Sequence, residues 1–213
     1  MKIILASASP RRKEILTLIG LPFLVYPAKG EERTEKTEPA EVVKELSHQK
    51  AVEISDAILS GSGKNIGSEE LWEEAYGDSE DCLIIGADTV VSVDQEILGK
   101  PVDEEDAAKM LQKLQGRTHE VHTGVTLILI KNRFKKIRTF SDVTEVTFYP
   151  MTEEEIRSYI RTEEPMDKAG AYAIQGKCAV YIKGIRGDFY NVMGLPAARM
   201  MQELKAWGIT GLR

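Results

Sequence analysis

Ser7-Ala8-Ser9-Pro10-Arg11-Arg12 sets two hydroxyls and two guanidinium groups at a predicted helix start. Ser9 suits the N-cap, Pro10 the first helical position, and Gly20 the C-terminal stop. Arg11, Arg12 and Lys13 then occupy the first turn, where cations oppose the helix dipole at roughly 0.3–1 kcal/mol each. An anion resolves that conflict. Backbone N–H groups, serine hydroxyls and the planar forks of two arginines make a cradle for phosphate. A solvated basic turn capped by Ser9 explains the same residues about as well. The G-x-x-x-x-G-K-[ST] phosphate loop is absent from the chain.

Asp88 follows the mostly apolar run Cys82-Leu83-Ile84-Ile85-Gly86-Ala87 and precedes Thr89-Val90-Val91. A carboxylate at the end of a buried strand needs a partner, because an unpaired buried charge costs several kcal/mol. Strand ends are also where open α/β sheets place ligands. Asp88 is therefore read as a metal ligand or general base, or else as a carboxylate paired with a lysine or a backbone turn. Lys50 falls four residues after Leu46 and four before Ile54, so it interrupts an apolar helical stripe. Either its stem covers the core with the ammonium in water, or the ammonium points inward at a ligand. Glu31 and Glu32 are further acidic candidates in a polar loop, and Lys100 sits in the loop Gly99-Lys100-Pro101. Gln175, among small residues, carries the paired donor and acceptor that read a base edge or close a turn. His119 and His122 fall on opposite sides of a predicted strand, which argues against a shared metal. Cys82 and Cys178 are read as core residues.

These groups need a scaffold. The opening reads as a short strand, a loop and a helix, and a second helix spans about 39–59. A buried strand begins at Cys82, and 93–97 looks like the turn and return of a hairpin. Asp103 caps a helix closed by Gly116. Residues 118–130 and 134–148 read as two long antiparallel strands. Thr152-Glu153-Glu154-Glu155 carries the capping-box signature. A small-residue loop at 163–177, a strand at 178–183, a turn at 184–187 and a final helix at about 196–207 complete the chain. The class is α/β or α+β with a mixed sheet.

Composition narrows the function classes. The chain has 213 residues, 42% hydrophobic and 29% charged, which suits one domain with a real core. The net charge of −6 argues against a general nucleic-acid or anionic-membrane binder. Two cysteines exclude a disulfide framework and a four-cysteine zinc site. No apolar run reaches the ~18–20 residues of a membrane span, and the opening run is too short for a signal peptide. A soluble, cytoplasmic protein is expected. Residues 60–81 combine four glycines with seven acids and read as a surface insertion.

Ser7-Ala8-Ser9-Pro10-Arg11-Arg12, Gly86-Ala87-Asp88-Thr89, Gly99-Lys100-Pro101 and the stretch from Glu164 to Gly176 occur in that order. Gly187-Asp188-Phe189-Tyr190-Asn191-Val192-Met193-Gly194-Leu195-Pro196 follows. Together they closely resemble the Maf family of nucleoside triphosphate pyrophosphatases over essentially the whole chain. The Lys168–Gly176 stretch resembles the subfamily that hydrolyses dTTP and UTP. The resemblance implies a single domain over 1–213 with a Maf/ITPase-like α/β fold, an extended twisted mixed sheet with flanking helices and two lobes around a central cleft. It implies hydrolysis between the α and β phosphates, with modified pyrimidine nucleotides as further candidate substrates. Matched by motif, the catalytic carboxylate falls on Asp88. Substrate specificity falls on Arg11, Thr89 and Gln175. Phosphate binding falls on Ser7, Arg11, Arg12, Lys50 and Lys100, with Lys168 a further active-site position. A Mg²⁺ or Mn²⁺ cofactor is implied, with Glu32 and Asp88 as its ligands, and a homodimer is the oligomer the family suggests. One departure is Ala173, where the family usually has glycine; its methyl is expected to crowd the base pocket. The rival readings are a pyrophosphatase for another or modified nucleotide, and a regulatory nucleotide-binding protein linked to septum formation and cell-division arrest.

Overall fold

The Val- and Ile-rich runs become the centre of a mixed sheet. A computed structural model of the chain describes residues 1–60 and 81–209. The acidic segment read as an insertion, residues 60–81, lies outside the described residues except for its two ends. Strands β1 (Lys2–Leu5), β2 (Leu24–Val25), β3 (Cys82–Val93), β5 (Thr118–Lys131), β6 (Phe134–Phe148) and β7 (Ile182–Arg186) lie in the order β2-β1-β3-β5-β6-β7, and β4 (Glu96–Leu98) pairs with β3. The β1–β2 and β1–β3 pairs are parallel, and all others are antiparallel. The structure thus has the mixed sheet flanked by helices that the resemblance implies.

Helix α2 (Pro39–Ser60) covers one face of the sheet, where Ala51, Ile54 and Ile58 pack on Ile4, Ile84 and Ile128. The other face carries α1 (Pro10–Leu18), α3 (Glu104–Leu114), α4 (Glu153–Ile160) and α6 (Ala197–Ala206). Ile15, Leu111, Ile156 and Met200 from these helices join Leu83, Ile85, Val125 and Leu127 in the larger core. Asp103 caps α3 by accepting from the Asp106 N–H at 2.8 Å, and Thr152 and Glu155 form the expected capping box of α4. His119 and His122 point to opposite faces: His119 stacks edge-on against Phe148 and Tyr172, and His122 pairs with Glu120 at 3.0 Å. Both cysteines are buried, and burial pushes each thiol up to about 12, so they are inert core groups.

Three expectations need correction. The strand expected at 178–183 begins later. Lys177–Tyr181 is a 3₁₀ turn, and pairing starts at Ile182 opposite Phe148. Its first N–H groups are taken elsewhere: Lys177 N–H donates to the Glu164 carboxylate and Ala179 N–H to the Gly176 carbonyl. Ser9 occupies the N-cap position of α1, but its side chain makes no capping hydrogen bond. Asp88 lies within a single strand of 12 residues rather than at its end. The short helix α5 (Phe189–Met193), capped by Asp188, has too few residues to show a periodic pattern.

Two glycines set the distance between α2 and the sheet. A Cβ on Gly86 of β3 would strike the Ser47 carbonyl, and one on Gly124 of β5 would strike the Val43 carbonyl. Gly124 is the register partner of Asp88, and Gly86 stands two residues before it. The helix backbone therefore rests directly on the sheet beside Asp88, and the Ser47 and Thr126 hydroxyls hydrogen-bond at 3.0 Å beneath it.

Candidate functional site

Strand β3 outlasts its neighbours on one edge. β1 pairs with it only from Cys82 to Ile85, and β4 pairs only from Val91 to Val93. Among the described residues, no strand pairs with Gly86–Val90 on that side. The chain leaves β1 at Ala6, turns through the two serines and enters α1, and this departure opens a cleft of about 570 Å³ over Asp88 and Thr89. The same logic places ligands where open sheets split. Its lining includes Ser7, Arg11, Arg12, Glu32, Lys50, Asp88, Thr89, Lys100, Lys168 and Gln175. Every residue singled out as a site candidate therefore reaches one cleft, except Glu31, which pairs outside it with Arg33.

The floor of the cleft is tightly bonded. Lys50 does turn inward, and its Nζ donates to Asp88 Oδ1 at 2.5 Å and pairs with Glu32 Oε2 at 2.9 Å. Side-chain exposures of 15% for Lys50 and 14% for Asp88 make this a largely desolvated contact, whereas Glu32 at 46% sits at the mouth. Arg12 is buried, and burial lowers its pKa while the charge of Asp88 opposes that shift. Its Nε donates to the Gly194 carbonyl at 2.8 Å, Nη1 to Ser7 Oγ at 2.9 Å and Nη2 to Thr89 Oγ1 at 3.1 Å. Thr89 Oγ1 also meets Thr123 Oγ1 at 2.9 Å, and Thr123 donates to the Asn191 carbonyl at 2.8 Å. A single guanidinium thus holds two cleft hydroxyls and ties them to the late Gly187–Pro196 segment.

The rim is looser. Arg11 lies 3.9 Å from Asp167, and Lys168 pairs with the same carboxylate. Burial lowers the Arg11 pKa, and Asp167 partly restores it. Lys100 is exposed, and its loop is tied to the Lys168–Gly176 stretch by Gly170 N–H donating to the Gly99 carbonyl at 2.9 Å. Gln175 is exposed in that stretch, next to the buried Ala173 and Ile174.

Asp167 is a cleft residue that sequence reasoning named only inside a motif. An acid beside a lysine in a polar loop reads as an ordinary solvated group. Gly124 was also passed over, although a lone glycine in a β-branched run signals a close backbone approach. The carboxylates suit a hard cation. No group of three or more His, Cys, Asp or Glu among the described residues is arranged to hold a metal alone. Asp88 and Glu32 nevertheless converge on one positive charge, the Lys50 ammonium. One or two carboxylates, with substrate phosphates and water completing the shell, is the ordinary donor set of Mg²⁺.

The model of the family described as Maf-like protein matches residues 2–207. A protein of Agathobacter rectalis named dTTP/UTP pyrophosphatase is 51% identical over 98% of this chain and 98% of its own length. Proteins of the same name from Lachnoclostridium phytofermentans and Carboxydothermus hydrogenoformans are each 46% identical over 98% of this chain, covering 96% and 100% of their own lengths. The family match and the relatives both run nearly the whole length of the chain: the protein belongs to the Maf family.

Proposed function

We propose that this protein hydrolyses dTTP and UTP between the α and β phosphates, releasing the nucleoside monophosphate and pyrophosphate. The observation that carries the reading is the convergence in one cleft of a carboxylate pair, a ring of cations and a base-sized amide. Relatives named for the same activity over their full length support it.

In the proposed reaction a water oxygen forms a bond to the α phosphorus while the bond from that phosphorus to the bridging oxygen breaks. Asp88 orients the water and accepts its proton. Lys50 fixes the direction of the Asp88 carboxylate, so little reorganisation is needed as charge develops. The leaving pyrophosphate carries the negative charge toward Arg11, Lys100 and Lys168. Phosphoryl transfer asks a protein mainly for this positioning and charge stabilisation. Ser7 supplies a phosphate-facing hydroxyl, and Arg12, behind it, fixes the directions of Ser7 and Thr89 and adds its charge. Glu32 and Asp88 would hold Mg²⁺ or Mn²⁺, which when bound supplies further neutralisation of the phosphate oxygens. Gln175 and Thr89 address the base. The Gln175 amide matches the carbonyl and N–H edge that thymine and uracil share.

The test is a turnover assay with Mg²⁺ or Mn²⁺ against a panel of canonical and modified triphosphates, with product identification. Monophosphate plus pyrophosphate from dTTP and UTP is expected, with Gln175→Ala losing pyrimidine preference more than hydrolysis. Turnover of another nucleotide alone would remove the specificity assignment. Nucleotide binding without turnover would point to the regulatory protein instead.

A further inference from the structure

The loop that carries Gln175 has an anchor outside the cleft. Tyr159, on the last turn of α4, is buried at 4% exposure, and its hydroxyl donates to Glu164 Oε1 at 2.8 Å. The same hydroxyl accepts from the Ala173 N–H at 3.2 Å. Glu164 in turn accepts from the Lys177 N–H, at 3.0 Å from each carboxylate oxygen. Two backbone N–H groups, two residues before and two residues after Gln175, are therefore held by one Tyr–Glu pair. Between them, Gly176 N–H donates to the Ala173 carbonyl at 3.3 Å and closes the turn. A Cβ on Gly176 would collide with the Glu164 carboxylate, so the glycine is what lets the acid lie against the backbone. Burial pushes the Tyr159 pKa up, which keeps its hydroxyl a donor. Tyr159 and Glu164 are absent from the lining of the cleft.

We infer that Tyr159 and Glu164 are positioning residues for base selection, acting through the Ala173–Lys177 turn to hold the Gln175 amide against the pyrimidine edge. This rests on the base-reading role proposed for Gln175. An exposed amide on an unsupported turn samples many directions and discriminates poorly. A turn clamped on both sides fixes the place from which the amide reaches the base, and a hydrogen-bonding site held in place rejects bases lacking the matching groups. The clamp's hydrogen bonds go to the Ala173 and Lys177 backbone and not to the cations proposed for the phosphates, so loosening it should cost selectivity more than turnover.

The experiment compares kcat/KM for UTP and CTP in the full chain, for Tyr159→Phe, Glu164→Ala, Glu164→Gln and Gln175→Ala, with thermal unfolding recorded for each. The UTP/CTP ratio is expected to fall about three- to tenfold in Tyr159→Phe and Glu164→Ala, the change one or two lost hydrogen bonds support. Glu164→Gln, which keeps one acceptor oxygen, should recover most of the ratio. Tyr159→Phe added to Gln175→Ala should lower the ratio no further than Gln175→Ala alone. A ratio that is unchanged in both clamp variants while Gln175→Ala loses it overturns the clamp and leaves the base-reading role standing. A ratio that survives Gln175→Ala overturns both. Should Tyr159→Phe fail to fold, the Glu164 pair decides. A loss of melting temperature with the ratio intact makes the pair structural only and overturns the inference.

Discussion

Arg11 and Arg12 are neighbours in sequence and opposites in structure. Arg12 belongs to the floor of the cleft, where its guanidinium contacts Gly194, Ser7 and Thr89 and is shielded from solvent. Arg11 belongs to the rim, where its closest acidic partner is the exposed Asp167 at 3.9 Å. Lys50 and Lys100 repeat the contrast, one locked between Asp88 and Glu32 and the other exposed on a loop. Floor cations are consumed by the protein and set directions. Rim cations keep their charge for whatever enters. A ring of positive residues is therefore two devices, and it separates into them only by asking which donors are already spent.

Substitutions on the two sides should fail differently. Asp88→Asn, at the centre of the floor, is expected to keep the fold and lower kcat by about 10³-fold or more, in the range seen for loss of a general base combined with charge stabilisation; steady-state kinetics with a melting curve checks both halves. Arg12→Lys replaces a fork with a point charge that cannot reach three acceptors. It is expected to lower kcat by about 10²-fold and to destabilise by about 2–3 kcal/mol, from the charged hydrogen bonds lost, read by urea denaturation.

His119 probes the support beneath the rim. Burial lowers its pKa to about 4, and its Nε2 meets the Tyr172 hydroxyl at 2.8 Å, Tyr172 being a cleft residue. Between pH ~6.5 and ~4 the unfolded chain binds a proton that the folded one refuses. Its contribution to stability is thus complete above pH ~6.5 and is lost as pH falls through that window, up to about 3 kcal/mol. Denaturation midpoints at pH 7.5 and 5 should show the slope, and His119→Gln should flatten it.

Gly124→Ala pushes α2 off the sheet and is expected to cost about 1–3 kcal/mol, with a fall in kcat as Lys50 moves from Asp88; Thr126→Val, which leaves the spacing intact, should not match that fall. Lys100→Ala closes the series. On the rim it should raise KM about tenfold, lower kcat far less than Arg12→Lys does, and leave stability nearly unchanged. A kcat loss there equal to that of Arg12→Lys would erase the distinction between floor and rim.

The cleft residues were legible because their chemistry conflicts with their setting. A lysine in an apolar stripe, arginines at a positive helix end and an aspartate in an apolar strand each advertise a partner. The long strands 118–130 and 134–148 and the capped helices were legible from periodicity and end signals. Other features leave no such mark. The edge gap between β1 and β4 arises from two pairings that stop at different registers, which no local pattern records. The 3₁₀ turn at Lys177–Tyr181 has apolar residues that suit a strand, and the distant Glu164 carboxylate, which takes the Lys177 N–H, leaves no local mark. Ser9 had the residue type of a cap without its hydrogen bond.

The hydrogen bond from Arg12 to Gly194 spans 182 positions of sequence. During synthesis Arg12 emerges long before Gly194 and must wait for the residues between them before its acceptor exists. The guanidinium that aligns Ser7 and Thr89 therefore lacks its third anchor in any chain that has not reached Gly194. The segment from Tyr172 to Gly194 brings both Gln175 and the Arg12 acceptor to the cleft, so its arrival is the event that finishes the site, and a nascent chain still lacking it is an incomplete folding unit rather than a slow catalyst.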